Sequence, residues 1–241
     1  MRALILSSTF LSAFSQSDFF GKLIFLGLFA LSISSWVVII YKISITRKTK
    51  FNSFKFENIF SKRKENILNF HLDSFNSYLN PYYVIYSSVK TKTLEILKKN
   101  SFFSNCDLAE VYLSDSDVEL IESEVDATIS HQIKFLEKNL FVLSTVITLA
   151  PFLGLLGTVW GILLTFSNLQ ASGIASANSS VLSGLSLALA TTVIGLVVAI
   201  PALIGYNYLK SYISDYTKEM EHFSHNLMTT LELQYKKVEK K

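Results

Sequence analysis

The sequence has one cysteine, Cys106, in 241 residues. A single thiol cannot close an intramolecular disulfide, so packing and hydrogen bonds must hold the fold. Cys106 lies in a polar segment. It fits a reducing cytoplasm and reads as an ordinary thiol rather than a redox centre. Charge is scarce too, at 17% of residues, and it is spread unevenly. No Asp, Glu, Lys, Arg or His lies between Lys138 and Lys210, which leaves the 71-residue block 139–209 uncharged. The net charge of +3 comes from mixed-sign polar segments, not from the concentrated basic patch of a nucleic-acid binder, so no nucleic-acid partner is expected. No Gly-Lys-Ser/Thr follows the glycine-rich stretch Ala150 to Gly161, which excludes a P-loop. No Ser/His/Asp set or metal cluster is in evidence either, so neither an enzyme nor a cofactor is expected. His222 and His225 are three residues apart, but no further ligand is obviously placed to complete a metal site. His71 and His131 read as surface residues.

What the sequence does have is long uncharged apolar runs. About 20 apolar residues cross a bilayer as a helix, so these runs read as membrane segments. The fold class expected is an all-α membrane protein with three transmembrane helices. Span one takes residues 19–41 and includes the uncharged run from Leu23 to Tyr41. The 71-residue block is too long for one span and breaks near Gln170 to Ser180, which is small, polar and turn-prone. Span two is therefore placed at 140–169, the link at 170–180 and span three at 181–209. Positive charge sets orientation. Segment 42–139 carries 14 Lys and Arg, and the tail 210–241 carries six. The link carries none, and residues 1–18 carry only Arg2. The loop and tail should thus be cytoplasmic, with the N-terminus and the link outside. The start, MRALILSSTFLSAFS, resembles a short signal peptide but has no convincing cleavage site, and it is expected to stay uncleaved.

The flanking segments carry helical periodicity. Val118, Ile121, Val125, Ile129, Ile133, Leu136 and Leu140 recur every three or four residues. Ser116 and Glu119 have capping-box spacing at the start of this stripe. The stripe predicts a helix over 117–139 that continues into span two without a break. Beyond span three, Leu209, Ile213, Tyr216, Met220, Phe223 and Leu227 form a near-heptad stripe. One helix over 181–235 follows from it. Spans two and three should thus extend as long helices into a cytoplasmic helical bundle. Residues 42–115 are polar and mixed, with a turn signal at Asn80-Pro81.

The uncharged block is rich in residues that fill apolar space poorly. In span two, Ser144, Thr148, Pro151, Gly154, Thr158, Gly161 and Thr165 follow steps of three and four and share a face, and Gly157 and Gly161 form a GxxxG pair. In span three, Gly184, Ala188, Thr192, Gly195 and Ala199 do the same. Small residues let helices approach closely in lipid, where there is no hydrophobic drive between them. Two readings of these faces stand side by side. They are helix-packing surfaces, or they line a path or cradle another helix. In the second reading the hydroxyls of Thr148, Thr158 and Thr192 act as donors and acceptors, and Pro151 frees a backbone carbonyl.

Ala150-Pro151-Phe152-Leu153-Gly154-Leu155-Leu156-Gly157-Thr158-Val159-Trp160-Gly161-Ile162 resembles the second-span signature of the MotA/TolQ/ExbB proton-channel family, in its ExbB/TolQ branch. Gly184 to Asn207 resembles its third-span signature, including Ala190-Thr191-Thr192, Gly195-Leu196, Ala199-Ile200-Pro201-Ala202 and Tyr206-Asn207. The resemblance covers 139–209, and elsewhere it is architectural. It implies a homo-oligomer, a pentameric ring in the bacterial inner membrane, around a dimer of a single-span ExbD/TolR-like subunit with an intramembrane Asp. Proton flow through such a motor works on a TonB- or TolA-like protein that reaches the outer membrane. The family's threonines carry over to Thr158 and Thr192. The family also commonly has a third-span glutamate, and its counterpart here is Leu187. Intramembrane carboxylates are costly and functional, so the partner's Asp is expected to carry the protonation. A non-conducting scaffold of the same fold and a MotA-like stator are the alternatives. The stator would normally have four spans. A secondary transporter is disfavoured, because three spans offer no internal repeat.

Overall fold

The computed structural model of the chain describes residues 14, 17–62, 67–69, 80–104, 112–172 and 177–236, without the side chains of 69, 104, 171, 172, 177–180, 182, 183 and 187. The signal-like residues 1–13, His71, Cys106 and the middle of the expected link lie outside the described residues, as does the side chain of Leu187. Among the described residues the named elements are all helical, as expected. Helix α1 runs Phe19–Lys62, a 3-10 turn Ile67–Asn69, α2 Pro81–Ser104, α3 Asp115–Glu137, α4 Leu140–Ser172 and α5 Ala177–Tyr235. Helices α1, α4 and α5 are long and apolar enough to cross a membrane. The chain divides into two compact units, Met1–Lys42 with Asn139–Leu209, and Ile43–Lys138 with Lys210–Lys241.

The first unit holds the apolar stretches of α1, α4 and α5. Its core is Ile24 and Leu28 from α1, Val146 and Ala150 from α4, and Val198, Ala199 and Ala202 from α5. Asp18 caps α1 by accepting from Gly21 N at 2.9 Å. Its other oxygen accepts from the Trp160 indole nitrogen at 3.0 Å, and the Phe20 ring lies 4.5 Å from that of Trp160. Along α1, Gly27 then meets Leu153 and Ile39 meets Gly205. Helix α1 is thus antiparallel to α4.

The second unit is a bundle around Phe56, which is fully buried. Tyr83, Tyr86 and Phe223 surround it at ring distances of 5.8, 5.9 and 6.3 Å. From the tail stripe, Ile213, Tyr216, Met220, Phe223 and Leu227 are all buried here, and so are Val118, Ile121, Val125, Ile129 and Leu136 of α3. A polar chain runs through this core. The Tyr216 hydroxyl donates to Ser53 Oγ at 2.6 Å, and Ser53 donates to Asn80 Oδ1 at 3.2 Å. Burial pushes the Tyr216 hydroxyl well above the usual phenol range, although its hydrogen bond to Ser53 acts the other way. Asn80-Pro81 is a helix start: Asn80 Oδ1 accepts from Tyr83 N at 3.3 Å, and Pro81 takes the first helical position, where no N–H is needed. At the far end of α5, Leu113 N donates to Tyr235 O at 2.8 Å.

Two expectations are corrected. The α3 cap is Ser114, not Ser116. Ser114 accepts from Asp117 N, and Asp117 reaches back to the Ser114 backbone, closing the capping box one residue pair earlier. Asp117 outcompetes Glu119 because the shorter acid sits three residues after a serine in extended conformation. The continuous helix expected from α3 into α4 is instead interrupted at Lys138 and Asn139, where Asn139 has φ 72°. Asparagine tolerates the left-handed region better than other residues with a Cβ. Its carbonyl then accepts from Val142 N at 3.2 Å and restarts the ladder.

Candidate functional site

The uncharged seam between α4 and α5 carries the small-residue faces. The helices are antiparallel, with Ala150 against Gly195, Gly154 against Thr191 and Thr192, and Gly161 against Ala188 and Gly184. A Cβ on Gly154 would lie 3.0 Å from the Thr191 carbonyl oxygen, and one on Gly195 would lie 2.6 Å from the Ala150 carbonyl oxygen. A Cβ on Gly157 would collide with the Thr191 side chain, 2.6 Å from its Cβ. Any side chain at these positions pushes the helices apart. The packing reading of the glycines therefore has a concrete partner, which is the chain's own α5.

Hydroxyls bridge the seam at one point. Thr192 Oγ1 donates to the Gly154 carbonyl at 3.1 Å. Thr191 Oγ1 lies 3.3 Å from the same carbonyl and 2.8 Å from Ala188 O. A hydroxyl has one proton, so Thr191 is held chiefly within α5, and Thr192 is the donor that ties α5 to α4. A threonine hydroxyl also carries lone pairs that can accept. Thr165 Oγ1 donates to Gly161 O at 2.8 Å and is buried against Gly184. Thr158 Oγ1 donates to Leu155 O at 2.6 Å within α4.

The expected span-two stripe is split. Gly154, Gly161 and Thr165 are buried together with Gly157; Pro151 and Thr158 are half-buried; Ser144 and Thr148 are exposed. Thr148 bonds only to its own helix, at Thr145 O and Ser144 O. The cause is geometric. Steps of three and four average 3.5 residues, so such a stripe drifts by about 20° per heptad around a helix with 3.6 residues per turn. Thr148 lies at the early end of that drift. On α5, Ala188, Gly195 and Ala199 are buried, Thr192 is half-buried and Gly184 sits against Thr165. Two residues were not singled out from the sequence. Thr191 is 1% exposed and fills the space over Gly157. Its spacing, three after Ala188 and four before Gly195, was the available signal. Asp18, the acceptor for Trp160, gave no signal, because the two are 142 residues apart.

An antiparallel apolar pair with a hydroxyl-bridged seam, packed on a third apolar helix, defines a multi-pass α-helical membrane protein. Residues 94–222, just over half the chain, match the MotA/TolQ/ExbB proton channel family, and the chain belongs to it, in the ExbB/TolQ branch. It is 50% identical over 76 residues to the biopolymer transport protein ExbB of Aquifex aeolicus, 32% of this chain and 51% of that one. It is 35% identical over 109 residues to the ExbB of Xanthomonas campestris, 45% of this chain and 43% of that one. With the Tol-Pal system protein TolQ of Haemophilus influenzae it shares 34% over 110 residues, 46% of this chain and 48% of that one. The chain thus spans about half the length of the curated relatives it matches. Its bacterial relatives and three apolar helices make it a multi-pass bacterial inner-membrane protein.

Proposed function

We propose that the chain is the ring subunit of a proton-driven inner-membrane motor of the ExbB/TolQ kind. Five copies surround a dimer of a single-span ExbD/TolR-like subunit, and proton flow does work on a TonB- or TolA-like protein. The N-terminus and the α4–α5 link face the periplasm; residues 42–139 and 210–241 face the cytoplasm. The observation that carries this reading is the uncharged hydroxyl-bridged seam, with Thr191 and Thr192 at the Gly154 carbonyl. A hydroxyl relays or orients a proton without storing it. The block 139–209 has no group that can store one, so the partner's intramembrane carboxylate is the storage site, and Thr158, on the half-buried side of α4, is the residue that meets it.

The test is purification of the full chain in mild detergent with mass spectrometry of what accompanies it, followed by proton flux in liposomes. The expected companion is a small single-span protein with one membrane Asp, and flux is expected only with both proteins present. Thr158→Val or Thr192→Val should abolish that flux and leave the complex at its normal size. A lone ring that never conducts would instead support the scaffold reading.

A further inference from the structure

Helices α1 and α3 of the second unit each carry an exposed charged ridge, and the two ridges have opposite sign. On α1, Ser44, Lys48, Phe51, Lys55, Asn58 and Lys62 follow steps of 4, 3, 4, 3 and 4, which is a single helical stripe. Lys48, Lys55 and Lys62 are exposed, and so is the neighbouring Arg47. Phe51 and Phe54 are 68% and 62% exposed. No acid falls on this stripe; Glu57 lies on the other side of the helix. On α3, Asp115, Glu119, Glu122 and Asp126 follow steps of 4, 3 and 4, and all four are exposed. Asp115 is shared with Lys236 at 2.7 Å. His131, Lys134 and Lys138 fall away from this stripe.

We infer that these ridges are the two halves of one interface: the basic-aromatic ridge of α1 in one copy lies along the acidic ridge of α3 in a second copy. Like-charged ridges repel and opposite ones attract, so the pairing selects unlike faces. A contact between different faces is heterologous, and each copy offers both halves, so repetition gives a ring when the rotation between copies closes, which is the closure the proposed function supplies. The register fits. The chain changes units at Lys42–Ile43 and again at Lys138–Asn139. If both crossings lie at one membrane surface, as the proposed function requires, depth can be counted from them. Lys55 is 13 residues beyond Lys42 and Asp126 is 12 before Lys138; Lys62 and Glu119 are 20 and 19 away. At 1.5 Å per residue these pairs differ in depth by about 1.5 Å. The two helices run antiparallel, and stripes with steps of three and four interdigitate well. Phe51 and Phe54 supply apolar area between the charges.

The test uses the full chain with Cys106→Ser. Lys55→Cys and Asp126→Cys are placed on two differently tagged copies, co-expressed, and the membranes are oxidised. A mixed-tag disulfide dimer is expected, and none when Asp126→Cys is replaced by His131→Cys. Separately, Lys55→Glu with Lys62→Glu should lower the assembled fraction on the order of tenfold at low salt. Adding Glu119→Lys and Asp126→Lys to the same chain should restore it. Absence of the mixed dimer while the wild-type chain still assembles would overturn the inference and leave the ring reading standing. So would a loss that the compensating changes do not rescue and that appears in phosphatidylglycerol nanodiscs but not in phosphatidylcholine ones, since the basic ridge would then face lipid headgroups. A wild-type chain that stays monomeric would overturn the ring itself, and the ridge interface with it.

Discussion

At the residue scale, single atoms decide how close the helices come. Gly157 faces the Thr191 side chain with no room for a methyl group. Gly157→Leu should therefore separate α4 from α5 within one chain, before any assembly of copies. The expected result is a large fall in thermal stability of the detergent-solubilised protein; an unchanged Tm would remove the seam contact. Ser114 and Asp117 show the same economy outside the membrane segments. Partial burial acts to raise the Asp117 carboxyl, but donors from the Ser114 backbone and hydroxyl and from Asn100 outweigh it and hold the group below the usual range. A carboxyl depressed by folding stabilises above its unfolded pKa, and that contribution is lost as pH falls through the lower folded value. Stability of wild type should thus drop below about pH 4 by a component that Asp117→Asn lacks. Ser114→Ala should cost about 1 kcal/mol through loss of the cap. Acid and denaturant titrations followed by circular dichroism check both.

At the element scale, the notable feature is the break between α3 and α4. The apolar stripe from Val118 to Leu140 reads through residue 139 without a gap, because a spacing pattern does not register backbone dihedrals. The structure turns there at a positive-φ asparagine. Asn139→Gly should be neutral or slightly stabilising, and Asn139→Val should cost about 1–2 kcal/mol. Melting the two variants beside wild type separates these outcomes; equal Tm values would show that the turn carries no strain. The polar segment 42–115 also holds more helix than its pattern suggested. Helix α1 continues to Lys62, and α2 fills 81–104. These stretches place buried residues such as Phe56, Tyr82 and Tyr86 among Lys, Ser and Asn, so the amphipathic period is hard to read against a polar background.

At the scale of the whole molecule, the division into two units follows the distribution of charge. The unit that holds the seam has one acid, Asp18, and that acid is occupied by Gly21 N and the Trp160 indole. The chain alone therefore has no free carboxylate within 139–209 to carry protons. Liposomes containing only this chain should show proton leakage no faster than empty ones, read with an entrapped pH dye. Fast flux from the lone chain would require a storage group that the ring reading assigns to its partner.

The sequence by itself determined the class, the three apolar helices, the small-residue faces and the family signature. These follow from local chemistry: the absence of charge over 139–209, periodic spacing, and residues too small to hold helices apart. Tertiary structure alone decided which residues of the stripe are used. It put Gly154, Gly157 and Gly161 against Thr191 and Ala188, left Thr148 outside, and gave the Gly154 carbonyl two hydroxyls. It also joined Asp18 to Trp160. These depend on the rotation of one helix against another and on contacts between residues far apart in the chain. A pattern with steps of three and four fixes neither, because its stripe drifts around the helix and its partner is not written beside it.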